Sequence, residues 1–197
     1  GDSNVKGAPN ENYARELQEL YTVGKGPNSK YTENDVKTAA LVLTGHTVNP
    51  VTFTYFFDAG KHDATNKEFS SFYSNKIITG YSGAAGANEV DELLDMIFAQ
   101  DELAKHICRK IYRYFIYYKI DNDIEQTIIT PLAQIFKNNN FNIQPVLATL
   151  FKSRHFYDLV YSSACIIKSP LDFVIDLCNE FNVQFPNPTD NEATYAV

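Results

Sequence analysis

The sequence lacks the patterns that mark several large classes of protein. No apolar run approaches the ~18 residues that a membrane-spanning helix needs, so no membrane span is predicted. The three cysteines are odd in number and have no C-x-x-C spacing, so neither a disulfide framework nor a cysteine-based metal site is indicated. We interpret Cys108, Cys165 and Cys178 as buried structural thiols, because free cysteine packs as a small apolar side chain.

Tryptophan is also absent, and basic residues are scarce. The 17 Lys and Arg residues are outnumbered by 24 Asp and Glu residues, which gives a formal net charge of -7. A surface that binds nucleic acid normally carries an excess of basic side chains, so nucleic acid is not expected as a partner. With 14 Phe and 13 Tyr residues, the core is expected to depend on aromatic packing.

No complete catalytic motif is present. The sequence has no Ser-His-Asp order, no Gly-rich phosphate loop and no H-E-x-x-H segment, so it names neither a reaction nor a cofactor. The chain begins with Gly1 rather than methionine and carries no signal peptide, and we interpret it as a fragment or mature piece of a larger protein.

What the sequence does contain is strong helical periodicity, which is densest near its start. At about 100° per residue, Tyr13, Leu17, Leu20 and Tyr21 fall on one side of a helix, and we predict that this stripe is buried. Gly24 follows at a position that tolerates left-handed backbone and should end the helix.

Further helices and one short β-ribbon are predicted along the rest of the chain. Thr32 followed by Asp35 is a capping-box start signal for a second helix. Apolar and polar residues alternate over 52–57, which predicts a strand whose partner lies within 69–78. The last helix begins at Ser169 and is predicted to bury Leu171, Val174, Ile175, Cys178 and Phe181.

Together these patterns predict a mainly α-helical fold. A chain of 197 residues with 44% apolar side chains can form one core, so we predict a single domain over residues 1–197. It should contain about seven helices and a small two-stranded β-ribbon near residues 52–78. Residues 184–197 are rich in Pro, Asn and Thr and are predicted to form a loose tail.

Several segments, in the right order along the chain, resemble the signature of a large bacterial family catalogued as domain of unknown function eighteen-hundred. That signature looks like E-N-x-A-R-E-L-x-E-L-[FY]-T-x-G followed by Y-T-E-x-D-V-x-x-A-A-x-x-[FL]-T-G. Tyr112 departs from it, since the family usually has Trp there, and a Gly expected between Asp63 and Lys67 is missing. The matching segments are residues 11–24, 31–45, 55–57, 62–67, 109–115 and 168–174.

The resemblance implies a context for the chain but no activity. It implies the C-terminal part of a longer protein that is exported to the periplasm or cell surface. Genes of this family often lie beside those of a second uncharacterised, sulfatase-like family, which makes a protein encoded by a neighbouring gene the expected partner. This is association and gives no mechanism.

The first group of candidate functional residues lies in one loop. A histidine followed by a carboxylate can supply a general base or metal ligands, so His62, Asp63 and Lys67 are the catalytic candidates. The alternative is a loop that is fixed by its own hydrogen bonds, with no role in chemistry. No metal site is assigned.

The second group combines the start of the first helix with a later one. Asn12, Arg15, Glu16, Arg109 and Arg113 could bind a polar or anionic ligand. The alternative is internal pairing, since a half-buried charge needs a partner. In that case we predict that Glu16 bonds to Arg109 or Arg113, while Arg15, which points about 100° away from Glu16, reaches a different acceptor.

Two hypotheses for function follow. The first is a non-enzymatic interaction or scaffold module of a larger exported protein. The second is a hydrolase-like or metal-dependent enzyme that uses the polar residues. A pocket in which His62, Asp63, Glu11 or Glu16 converge would favour the second hypothesis, and wide separation of these groups would favour the first.

Overall fold

Helices make up most of the structure, a computed structural model that describes residues 4–158 and 168–185. It is 56% helical, with seven helices and two small two-stranded antiparallel sheets in the described residues. The prediction of a mainly α-helical fold with about seven helices is therefore confirmed. No helix within the described ranges combines the length and the apolar character needed to cross a membrane.

The seven helices are numbered in chain order. Two of them contain a π-helical segment, in which each backbone bond spans one residue more than in an α-helix. The helices are α1 (Glu11–Glu16, continued by the π-helical segment Leu17–Tyr21), α2 (Glu33–Val42), α3 (Glu89–Phe98), α4 (Asp101–Phe115), α5 (Asn122–Ile124, the π-helical segment Glu125–Ile129 and Thr130–Asn138), α6 (Ile143–Lys152) and α7 (Pro170–Glu180).

Four short strands form two separate hairpins. Strand β1 (His46–Val48) pairs with β2 (Tyr55–Phe57), and β3 (Lys67–Glu68) pairs with β4 (Ile77–Ile78). The predicted pairing of residues 52–57 with the 69–78 segment is therefore wrong. The strand instead pairs with the nearer β1 across a short turn, which costs less loop-closure entropy than the longer connection.

The start of α2 is as predicted. Thr32 Oγ1 accepts a hydrogen bond from the backbone N of Asp35 at 3.2 Å, and Asp35 Oδ2 accepts one from the backbone N of Thr32 at 2.6 Å. The fully buried Asp35 also accepts bonds from the backbone N and Oγ of Ser70, at 2.7 and 2.8 Å. One carboxylate thus caps α2 and joins it to the segment after β3.

The buried face of α1 differs from the prediction. Tyr13, Leu20 and Tyr21 are 58, 51 and 64% exposed, whereas Leu17 is buried as predicted. The π-helical segment is one reason, because its i→i+5 bonds change the rotation per residue on which the predicted stripe was based. The residues of the α1 segment that are buried are Ala14, Leu17, Gln18, Thr22 and Val23.

Gly24 ends this helical segment as predicted, and it also allows close packing. Its φ is +78°, and a Cβ added there would lie 2.2 Å from Nδ1 of His106 on α4. A side chain at this position would therefore require both backbone strain and displacement of the His106 ring.

The core is formed by α1 to α6 and the β3–β4 hairpin, and it is mostly aliphatic, contrary to the expected dependence on aromatic packing. Its buried aromatic side chains are Phe69, Tyr73, Tyr112 and Phe136, while many other Phe and Tyr residues are exposed. Cys108 is buried, as predicted, and burial raises its pKa to about 12. Cys165 lies outside the described residues.

Helix α7 does not bury the face predicted for it. Leu171, Val174, Ile175 and Phe181 are 68, 53, 47 and 72% exposed, and Cys178 is partly buried. Periodicity shows which side chains share a face of a helix, but it does not show whether another element covers that face. The predicted tail lies largely outside the described residues.

Asp35 both caps α2 and accepts hydrogen bonds from Ser70, and this leads to a prediction. Asp35→Ala should lower the free energy of unfolding by about 3 kcal/mol, because part-buried donors of Thr32 and Ser70 lose their acceptor and α2 loses its cap. The melting temperature should fall by roughly 5–10 °C in a thermal unfolding experiment. Asp172→Ala removes a carboxylate from the same capping position of the exposed helix α7 and is the matched control. Equal losses for the two variants would contradict the proposed tie to Ser70.

Candidate functional site

His62 lies in the loop between β2 and β3 and is only 4% exposed. Its Nδ1 is 2.8 Å from the backbone O of Thr44, and its Nε2 is 3.0 Å from Oε1 of Glu89. Both ring nitrogens therefore have an oxygen atom within hydrogen-bond distance, and these two contacts fix the orientation of the imidazole.

Lys67 and Glu89 complete the cluster. Lys67 Nζ donates to Oε2 of Glu89 at 2.5 Å and to the backbone O of Asp63. Glu89 also accepts a bond from the backbone N of Tyr81 at 2.7 Å, and it is the first residue of α3. Lys67 is 1% exposed and Glu89 is 0% exposed, so this pair is removed from solvent.

The surrounding backbone approaches His62 closely. A Cβ added at Gly86, in the turn that leads into α3, would lie 2.5 Å from Cδ2 of the His62 ring. Glycine at this position lets the turn close over the imidazole and exclude water from it. His62, Lys67 and Glu89 are hereafter called the buried charge cluster.

Asp63 does not join the buried charge cluster through its side chain. Its Oδ1 accepts bonds from the backbone N of Thr65 at 2.9 Å and from the hydroxyl of Thr65 at 2.5 Å. Burial raises the pKa of Asp63, but these bonds and the charges of Lys67 and His62 outweigh it, so the pKa lies below its usual range. The carboxylate therefore stabilises a local turn.

The structure brings together two of the three catalytic candidates, His62 and Lys67, and supplies a different carboxylate. Glu89 was missed because an acidic residue in the first turn of a helix ordinarily indicates favourable interaction with the helix dipole. Both ring nitrogens of His62 are engaged, and Lys67 forms an ion pair with Glu89. The cluster therefore joins the loop after β2, strand β3 and the start of α3 inside the fold.

Arg15 pairs with carboxylates around α1. Its guanidinium forms a bidentate pair with Glu33 of α2, at 3.0 and 2.6 Å, and also contacts Glu11 and Glu19. Hydrogen bonding to Glu33 raises the pKa of Arg15. The prediction that Arg15 reaches an acceptor other than Glu16 is confirmed.

The predicted bond from Glu16 to Arg109 or Arg113 is wrong. Glu16 and Arg113 are exposed, and Glu16 forms no ion pair within residues 4–158 and 168–185. Arg109 instead bonds Glu102 on its own helix at 2.6 Å and Glu125 of α5 at 2.6 and 2.9 Å. The exposed side of α1 carries Glu16 away from the interior, and Arg109 finds nearer carboxylates.

The five ligand-binding candidates do not share one surface cleft. Asn12 lines a cleft of about 650 Å³ together with Tyr13, His46 and Tyr55. Arg109 and Arg113 line a second cleft of about 370 Å³. Arg15 and Glu16 line neither of these two clefts, so the five candidates do not form one site.

His46 was not among the candidate residues chosen from the sequence. In the structure its Nδ1 is 2.9 Å from the hydroxyl of Tyr55, and the two rings are stacked with centroids 5.9 Å apart. Burial lowers the pKa of His46, with a smaller contribution from His62. The alternation of residues 52–57, which placed Tyr55 on one face of a strand, was the available signal, but it did not indicate His46.

Comparison with known proteins identifies the family but no activity. A family model described as "Protein of unknown function (DUF1800)" matches residues 1–195. No curated protein and no solved structure matches the chain. Among the residues that the structure describes, no group of three or more His, Cys, Asp or Glu side chains is arranged to hold a metal ion.

The buried charge cluster predicts a large effect of neutralising Glu89. Glu89→Gln should lower the free energy of unfolding by about 3–5 kcal/mol, because the buried Lys67 ammonium loses its counter-ion. Chemical denaturation would measure the loss. Glu92→Gln, on the same helix and paired at 3.5 Å with the part-exposed Lys76, is the matched control and should cost less than about 1 kcal/mol.

A second variant separates lost charge balance from lost packing. Adding Lys67→Met to Glu89→Gln removes the stranded ammonium and should recover part of the lost stability. A double variant that is less stable than Glu89→Gln alone would contradict the assigned role of Glu89.

Proposed function

Since the chain belongs to the DUF1800 family of proteins of unknown function, whose description assigns no activity, we propose that it is a non-enzymatic interaction module. The observation that carries this proposal is the exposed apolar tip of the β1–β2 hairpin. Val51 and Phe53, in the turn between the strands, are 83 and 82% exposed. Large apolar side chains displayed together at a surface are typical of protein interaction sites.

The hairpin differs from the rest of the surface in charge. Residues 46–57 contain no Asp, Glu, Lys or Arg, whereas charged residues make up 21% of the chain. The cores of protein interfaces are depleted in charged residues and enriched in aromatic ones. The composition of the hairpin therefore supports a protein partner with an apolar patch of its own.

The conformation of the hairpin turn is fixed by local hydrogen bonds. Asn49 Oδ1 accepts bonds from the backbone N of Val51 and Thr52, at 2.9 and 3.1 Å. The backbone N of Phe53 donates to the carbonyl O of Asn49 at 2.8 Å, and Phe53 itself has a φ of 55°. A turn that is ordered in advance loses less conformational entropy when a partner binds.

The enzymatic hypothesis receives less support from the geometry. His62 and Lys67 are buried and fully engaged, and Asp63 stabilises a turn. Glu16 is exposed, and Glu11 pairs with Arg15. These groups do not converge in either of the two clefts described above, as the enzymatic hypothesis requires.

The finer parts of the proposal rest on the family resemblance. We propose that the module belongs to a larger exported bacterial protein, in the periplasm or at the cell surface. Its partner is then the product of a neighbouring gene. The apolar hairpin tip would form the centre of that contact.

The proposal predicts a specific loss of partner binding. The full-length protein should co-purify with the co-expressed product of a neighbouring gene, and a double variant Val51→Ser, Phe53→Ser should bind it at least about tenfold more weakly. The matched control is Leu171→Ser with Phe181→Ser, which removes two comparably exposed apolar side chains from α7. A full-length protein that binds none of these products, or equal binding by both double variants, would contradict the proposal.

A further inference from the structure

The 650 Å³ cleft beside the β1–β2 hairpin has no charged residue among the ten that line it. Its polar groups come from the start of α1, from β1 and from β2, and two of its walls carry tyrosine rings. We infer that this cleft binds an uncharged saccharide. The residues that carry the inference are Asn10, Asn12, Tyr13, His46 and Tyr55.

The absence of charge from the lining restricts the ligand class. A phosphate or carboxylate group that leaves water needs a cation or several donors to replace its hydration. No Lys or Arg lines this cleft, in contrast to the second cleft, where Lys25, Arg109 and Arg113 are present. A neutral ligand fits the first cleft better than a nucleotide or an acidic glycan.

The polar groups of the lining match sugar hydroxyls. Side-chain amides both donate and accept hydrogen bonds, as hydroxyl groups do. Asn10 caps α1, and its Oδ1 accepts a bond from the backbone N of Asn12 at 3.0 Å, which fixes the start of the helix beside the cleft. Asn12 is exposed there. The Asn12 side chain therefore gives this wall a neutral donor and a neutral acceptor.

The tyrosine rings supply the apolar part of the site. Tyr13 and Tyr55 are 58 and 63% exposed, so each ring leaves one face that the C–H face of a pyranose ring can contact. The Tyr55 hydroxyl lies 2.9 Å from His46 Nδ1, and the two rings stack with an interplanar angle of 23°. His46 is therefore a positioning residue that holds Tyr55 in place before a ligand binds.

The inference is independent of the proposed protein partner. That partner contacts the hairpin tip at Val51 and Phe53, neither of which lines the cleft. Substitutions at the tip and in the cleft can therefore be scored separately, and each proposal can fail without the other.

A glycan array tests the ligand class. The full-length chain is applied to neutral cello-, chito-, xylo- and manno-oligosaccharides, with pectin- and heparin-derived acidic oligosaccharides on the same array. Binding to a neutral oligosaccharide supports the inference, and its affinity is then measured by titration calorimetry. Binding to acidic glycans alone, or to no glycan, overturns it.

Variants then locate the site. Tyr55→Ala should weaken binding of the neutral oligosaccharide by about tenfold or more, because the aromatic platform is lost. Tyr114→Ala removes a comparably exposed tyrosine on α4 and should leave the affinity unchanged. Equal affinity of wild type and Tyr55→Ala would overturn the placement. Unchanged melting temperatures would show that both variants fold.

The positioning role of His46 is tested by the saccharide affinity of two variants at this position. His46→Ala should weaken saccharide binding, whereas His46→Asn, whose amide can replace Nδ1 in the bond to the Tyr55 hydroxyl, should restore part of the affinity. Loss of affinity in His46→Ala without any recovery in His46→Asn would overturn the positioning role.

Discussion

The Glu89 carboxylate is the group on which the arrangement of residues 58–89 depends. It accepts bonds from His62 and Lys67, which precede it by 27 and 22 residues, and from the backbone of Tyr81. Without this anion, folding would bury the Lys67 ammonium without a counter-ion. The path of the chain between β2 and α3 therefore depends on bonds to one buried carboxylate as well as on apolar packing.

The later helices are held together by different forces. Helices α4, α5 and α6 bury aliphatic side chains such as Ile129, Leu132 and Leu150. Their main charged contact is the clamp in which Arg109 joins Glu102 and Glu125, and it lies at the edge of the packed region. Burial of apolar area is non-directional, so here shape and volume decide the packing.

The sequence was informative wherever the determining interactions are local. Thr32 and Asp35 are three residues apart, and the cap they form could be predicted from that spacing. The bond from Asp35 to Ser70 and the bond from Glu89 to His62 could not, because no local pattern records which distant donors meet a carboxylate. The number and type of helices depend on local patterns and could be predicted. The buried faces of α1 and α7 depend on which distant elements cover them, so they could not.

The same contrast between local and distant interactions holds for the candidate site. His62, Asp63 and Lys67 stand together in the sequence and were grouped for that reason, although the structure separates the roles of Asp63 and His62. The cleft that now carries the ligand proposal joins the start of α1 to two strands more than thirty residues later in the chain. The role of His46 depends on its contact with Tyr55 across the β1–β2 hairpin, which the sequence does not show.

The π-helical segment Leu17–Tyr21 has a consequence for comparing this chain with its relatives. Because i→i+5 bonding accommodates one residue more than α-helical bonding, a relative with an uninterrupted α-helix would reach the equivalent of Gly24 one residue earlier. The close approach of Gly24 to His106 fixes the register on the far side of the segment. An alignment of such a pair would therefore need a gap of one residue inside a helix, where gaps are ordinarily penalised most.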